Sequence, residues 1–260
     1  MANGKMKLGL IPGVAGEALG QDWDGTLERL KDLGYQGIEM SMGSIEKSGM
    51  SAEECRRNLE SHGLEPMSFF ASWGPFDQEA EKHIEAALGL GCDYMVWGWS
   101  PGEDNDQMAE ALPVMHKAAG MVYEAGMELL YHNHDHEFKN RVGDQTGYDW
   151  LMDKFHPDLL NCELDIGWVA YGGQDVVETI EKYAGRCPIL HMRDVGDPDA
   201  RGAFIEIGNG SLDIPAIIRA GAETGGTEWA VVEHSKPMEQ EPFEGLRTAA
   251  DNILAAIESL

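Results

Sequence analysis

The sequence predicts an α/β chain folded as a single (β/α)8 barrel spanning residues 1–260. Three observations predict it. Short β-like runs alternate strictly with helical patterns, which implies parallel strands. Eight such units fit into 260 residues at about 32 residues each. No Gly-rich phosphate fingerprint follows the first strand, which weighs against the alternative, a doubly wound open sheet. No linker or low-complexity tract divides the chain, so one domain is expected.

Taken in order, "KLGLIP" (7–12) leads to "GTLERLKDLG", and "QGIEM" (36–40) leads to "SAEECRRNLESHG". The latter opens on Ser51 and Glu54, the spacing of a capping box. "LEPMSFF" precedes "DQEAEKHIEAALGLG", and "DYMVWGW" precedes a long helical stretch from about 106 to 125. "MELLYHNH" precedes "YDWLMDKFH", and "NCELDIG" precedes "DVVETIEKYAG". "PILHMRD" precedes "DIPAIIRAGAETG", and "WAVVEH" precedes the last helix, "FEGLRTAADNILAAIESL". Gly34, Gly63, Gly91 and Gly126 stand where helix-terminating glycines belong. Longer loops are expected at 101–106 and 194–211.

Composition narrows the function. A formal charge of −27 repels phosphate backbones, so nucleic acid is not an expected partner. No apolar run is long enough to span a bilayer, and the N-terminus lacks the features of a signal peptide. No membrane association and a cytoplasmic location are expected. Cys55, Cys92, Cys162 and Cys187 show no CxxC spacing and read as reduced, partly buried thiols.

In a parallel barrel the site lies where strands end and βα loops begin. Strand two ends with Glu39, strand five with His132, His134 and then Glu137, strand six with Asp165 and then Trp168. Strand seven ends with His191, Arg193 and Asp194, and strand eight with Glu233 and His234. Side chains alternate along a strand, so Leu130, His132 and His134 share one face, as do Ile189, His191 and Arg193. Carboxylates and imidazoles from neighbouring strands suit one divalent cation of mixed O/N preference: Mn²⁺ first, with Mg²⁺, Co²⁺ or Zn²⁺ as alternatives. Trp23, Trp73, Trp97, Trp99 and Trp168 also fall at or just past strand ends, where aromatic faces can stack on a sugar. The plainer readings are assigned elsewhere. His136 is a bystander, His83 and His116 are solvated, Asp213 is a helix N-cap, and "GNG" (208–210) is a turn before it is a phosphate cradle.

Six motifs together carry a family resemblance: "LGYQGIEM", "YHNHDHEF", "LDIGW", "HMRD", "GNGSLDIPAII" and "VVEHS". In this order they resemble the xylose isomerase-like barrels, which include sugar-phosphate isomerases/epimerases, inosose dehydratases and family-2 apurinic endonucleases. "YHNHDHEF" resembles the YHNHxxEF signature of one branch. The resemblance implies one metal ion held by Glu137, Asp165, His191 and Glu233. His132 stands where the epimerase branch has its fifth-strand glutamate. Two positions depart from the pattern: Trp168 replaces the histidine of LDxGH, and Arg193 replaces the lysine of HxKD.

The resulting expectation is a metal-dependent isomerase or epimerase acting on a small keto-sugar or polyol through an enediolate. Glu233 is the base, and Glu137, His132 and His134 complete the catalytic set. Glu39, Trp73, Trp97, Trp99, Trp168 and Arg193 bind substrate. A lyase or dehydratase acting on an inosose or 3-keto-glycoside is the enzymatic alternative, and a non-catalytic sugar-binding or subunit protein the alternative from another class. Homo-oligomerisation is left open.

Overall fold

The computed structural model describes residues 6–71, 73–98, 105–197, 199–234 and 239–260, with the side chains of 73–78 and 105 outside that description. Its centre is a closed barrel of eight strands. They are β1 (Lys7–Leu10), β2 (Gly37–Met40), β3 (Glu65–Ala71), β4 (Tyr94–Trp97), β5 (Glu128–His132), β6 (Asn161–Asp165), β7 (Ile189–Met192) and β8 (Trp229–Val232). Each pairs in parallel with its sequence neighbours, and β8 closes on β1. The expected (β/α)8 architecture is therefore present, with helices around the outside. Two short hairpins, 141–142 with 145–146 and 194–195 with 204–205, elaborate the loops after β5 and β7.

Local chemistry sets the helix ends. Ser51 and Glu54 make both bonds of a capping box. Asp213 Oδ1 accepts from Ala216 N at 3.0 Å, ahead of a proline in the first turn. Gly34, Gly63, Gly91 and Gly126 close their helices at φ between +71° and +94°, a region disfavoured for residues with a Cβ. The four cysteines are buried and unpaired. Among the described residues no helix is long and apolar enough to cross a membrane.

The barrel interior is graded along its axis. Its lower part is filled by Met67, Tyr94, Val96, Leu130, Ile189, Trp229 and Val231. Room for the Trp229 indole comes from β2, where a Cβ on Gly37 would lie 2.6 Å from the ring. A register shift between β2 and β3 lets consecutive residues of β3 serve the interior: Met67 joins the apolar floor and Ser68 bonds Glu39. The main core lies outside the strands, between them and the helices.

Candidate functional site

Above the apolar floor, the same strand periodicity presents charged groups. On β6 it is Glu163 and then Asp165; on β7, His191 and then Arg193 just past the strand; on β8, Glu233 follows Val231. β5 contributes His132 and β2 contributes Glu39. Four of these, His132, Asp165, His191 and Glu233, each bring a ligand-type atom within 4.8 Å of the others. A second group, Glu39, Glu163 and His191, meets the same criterion below them.

The contacts form one network. Ser68 Oγ donates to Glu39 Oε2 at 2.6 Å. His191 Nε2 lies 3.2 Å from Glu39 Oε1 and 3.1 Å from Glu163 Oε1, and its Nδ1 lies 2.9 Å from Glu233 Oε2. His132 Nδ1 lies 2.9 Å from Glu163 Oε1. Arg193 Nε donates to Asp165 Oδ2 at 2.7 Å, and its guanidinium also pairs with Glu233. Glu233 is 18 % exposed where Glu39, Glu163, Asp165 and His191 are fully buried, so the group is reachable from the mouth through Glu233.

Burial and charge tune these groups in opposite directions. Burial pushes Asp165 up to about 6 against the pull of Arg193. Burial also pushes Glu233 up, but Arg193 and His191 outweigh it and hold the carboxyl below its ordinary range. Burial alone would lower His191; Glu163 and Glu39 reverse this and raise it. His132 is lowered by burial and by the neighbouring His191. His134 is lowered to about 4 by burial and by His136.

The mouth is partly roofed. Trp168 lies in the first turn of the short helix after β6 (Ile166–Tyr171), where its backbone N–H donates to the N-cap Asp165 Oδ1 at 3.0 Å. Its ring meets His134 at 5.6 Å and Phe204 at 4.8 Å. Arg201, from the loop after β7, crosses above Trp168 at 5.1 Å and grips Asp135 with two bonds of 2.6 and 2.7 Å. The turn at 208–210 directs backbone N–H groups onto a carboxylate of the protein itself. The N–H groups of Val195, Gly208, Gly210 and Leu212 all donate to the buried carboxylate of Asp194, at 2.8 to 3.1 Å.

A family model for the xylose isomerase-like TIM barrel matches residues 27–256. The chain belongs to that family. Among curated proteins this xylose isomerase-like barrel is 25 % identical to the inosose dehydratase of Geobacillus kaustophilus (strain HTA426), with 94 % of this chain and 89 % of that one covered. Among solved structures, a sugar phosphate isomerase/epimerase from Parabacteroides distasonis superposes with a TM-score of 0.82 at 24 % identity, covering 98 % of this chain and 96 % of that one. A probable 3-DHS dehydratase from Bacillus anthracis superposes with a TM-score of 0.74 at 14 % identity, covering 96 % and 99 %.

The donor set of this xylose isomerase-like barrel fits a divalent cation. It offers two carboxylates and two imidazoles at close range, with no thiol among them. His132 stands in this group, and Glu137 is not one of its members. Glu137 is fully buried and accepts from Tyr131 Oη at 2.8 Å and from the backbone N–H of His134 at 2.9 Å, so it shapes the loop that carries His134. Glu39 lies beneath His191 rather than at the open mouth.

The tryptophan reading needs correction at two positions. Trp97 has the opposite strand parity to Tyr94 and Val96, so it packs outward into the main core at 1 % exposure. Trp23 begins a helix on the barrel exterior and donates from Nε1 to Asn58. The side chain of Trp73, all of Trp99 and the loop at 101–104 lie outside the described residues. His83, expected in solvent, is buried against Phe69; His116 is exposed and stacks on Phe155. Glu163 went unread in the sequence, although its i, i+2 spacing from Asp165 places both on the inward face.

Proposed function

We propose that this chain is a divalent-cation-dependent enzyme that removes a proton α to the carbonyl of an uncharged keto-sugar or keto-polyol, giving an enediolate. The observation that carries this reading is the His132–Asp165–His191–Glu233 group at the C-terminal rim of the barrel. A divalent cation held there would supply Lewis-acid polarisation of the substrate carbonyl.

The protein's own groups supply the rest. Glu233 is the member with access to the mouth, and Arg193 and His191 keep it ionised, so it is the base. His134 is neutral at pH 7 and its Nδ1 has no hydrogen-bond partner among the described residues, which suits it to take up a proton. Trp168 offers to substrate hydroxyls an aromatic face and an Nε1–H that has no partner among the described residues. An uncharged substrate is favoured because Asp194 already consumes the amides of the 208–210 turn. Arg193 and Arg201 are likewise engaged with carboxylates.

Return of the proton to another face or carbon gives an epimerase or isomerase. Loss of a β-hydroxyl gives a dehydratase, the outcome favoured by similarity to an inosose dehydratase along 94 % of the chain. The test is proton NMR in D₂O with Mn²⁺-loaded protein and a panel of neutral ketoses and keto-inositols. Loss of the α C–H signal is expected with wild type and not with Glu233→Gln. The products formed distinguish epimer from dehydrated dione, and no exchange on any member of the panel would sink the proposal.

A further inference from the structure

The loops after β7 and β8 bring together two buried polar side chains that the proposed chemistry leaves unused. His234 directly follows Glu233 beyond the end of β8 and is 4 % exposed; Glu206 follows the strand 204–205 and has no exposed surface. Each is anchored through another of its atoms. The His234 carbonyl packs against the loop after β1, where a Cβ on Gly13 would lie 2.6 Å from its oxygen. Glu206 Oε1 accepts from the Gln240 backbone N–H at 2.7 Å. The other ends are unpartnered: His234 Nδ1 and Nε2 and Glu206 Oε2 have no hydrogen-bond partner among the described residues. Burial is the largest influence on the ring, and among the charges Glu206 acts on it most strongly, ahead of Arg193 and Glu233. The two side chains are thus neighbours that no hydrogen bond joins. Buried polar groups are nearly always partnered, so the space between these two suits a bridging group.

We propose that Glu206 and His234 form a hydroxyl-binding subsite beside the cation group, which selects a cyclic substrate with uncharged hydroxyls on the side away from Trp168. A hydroxyl placed between them donates to Glu206 Oε2 and accepts from the imidazole N–H, so both unpartnered groups are satisfied at once. The strands that carry the cation group lie side by side in the order β5, β6, β7, β8. His134 and Trp168 belong to the loops after β5 and β6, and Glu206 and His234 to those after β7 and β8. Polar contacts are therefore available at both flanks of one ring-shaped guest. A phosphate or carboxylate at the second flank would meet Glu206 with like charge, while Arg193 nearby is already paired with Asp165 and Glu233. The hydroxyls of a cyclic polyol or pyranose suit both flanks. The inference deepens the function proposed above and rests on its substrate class.

The experiment measures binding without turnover. Wild type, Glu206→Gln and His234→Phe are titrated, in the presence of Mg²⁺, with myo-inositol and its monodeoxy counterparts by saturation-transfer NMR. None of these probes carries a carbonyl to react. Glu206→Gln keeps an oxygen for Gln240 and exchanges only the unpartnered acceptor for a donor. Wild type is expected to bind myo-inositol and to lose about tenfold when the contacted hydroxyl is the one removed. Each variant is expected to lose about tenfold for myo-inositol and to show little further loss with that deoxy counterpart. No binding of any probe by wild type overturns the subsite. So does equal affinity in wild type and both variants, the result if the space holds only water. A loss in the variants that is the same for myo-inositol and every deoxy counterpart marks a structural role and also overturns it. If His234→Phe does not fold, Glu206→Gln decides. Hydroxyl-dependent binding without α-proton exchange on any ketose or keto-inositol removes the proposed function and leaves the subsite standing.

Discussion

Arg193 Nε donates to Asp165 Oδ2 at 2.7 Å, and both side chains are buried. The guanidinium thereby serves as counter-charge to two of the four groups that suit a cation. Removing one partner of a buried ion pair leaves the other uncompensated, at about 3–5 kcal/mol. Arg193→Gln should destabilise the cation-free protein by about that amount in denaturant titrations. Saturating Mn²⁺ should narrow the gap, because the ion supplies the missing positive charge. A gap that stays the same with and without Mn²⁺ would mean that arginine and cation do not share these carboxylates.

Cation affinity should depend on pH with a definite sign. A carboxyl raised to about 6, as Asp165 is, competes with the cation for its oxygens below that pH. Mn²⁺ binding measured by calorimetry should therefore tighten from pH 5 to pH 7, with proton release on binding. In Asp165→Asn the part of this dependence that belongs to Asp165 should disappear. A flat profile in wild type would contradict the assignment.

Gly37 and Trp229 test the apolar floor. A Cβ at Gly37 would stand 2.6 Å from the indole and 3.1 Å from the carbonyl oxygen of Glu65. Gly37→Ala is expected to cost about 1–3 kcal/mol in thermal or denaturant unfolding, as overpacked cores do. Adding Trp229→Leu should return part of that loss. Equal and additive losses would show that the two positions do not contend for one space.

The loop at 194–212 should depend on Asp194. Four backbone N–H groups converge on its carboxylate. Asp194→Asn replaces one acceptor oxygen by a donor that faces donors. Hydrogen exchange at Gly208, Gly210 and Leu212 should accelerate by about tenfold or more, since charge-assisted bonds are worth about 1.5–3 kcal/mol. The amides of β7 should remain protected. Unchanged exchange at the three loop amides would remove Asp194 from that role.

The barrel was legible because its cues are local and repeated. The capping box at Ser51 and Glu54 and the helix-ending glycines are set by residues close in sequence. The cluster of Asp165, His191 and Glu233 was legible from strand ends and parity. Trp97 stands near a strand end, as rim residues do, but its parity sends it into the outer core. Glu137 illustrates a different limit. Its loop turns back after β5, and the backbone path decides that its carboxylate meets Tyr131 and the His134 N–H. Arg201 and Asp135 lie 66 residues apart, and no local pattern announces their pairing across Trp168.

The apolar floor of Met67, Leu130, Ile189, Trp229 and Val231 closes the barrel axis from below. The charged residues above it meet solvent at the mouth, where Glu233 is the partly exposed member. On the proposed chemistry, a hydrogen lifted from carbon is traded for solvent deuterium at that end of the barrel, and the label is carried into the α carbon of the product.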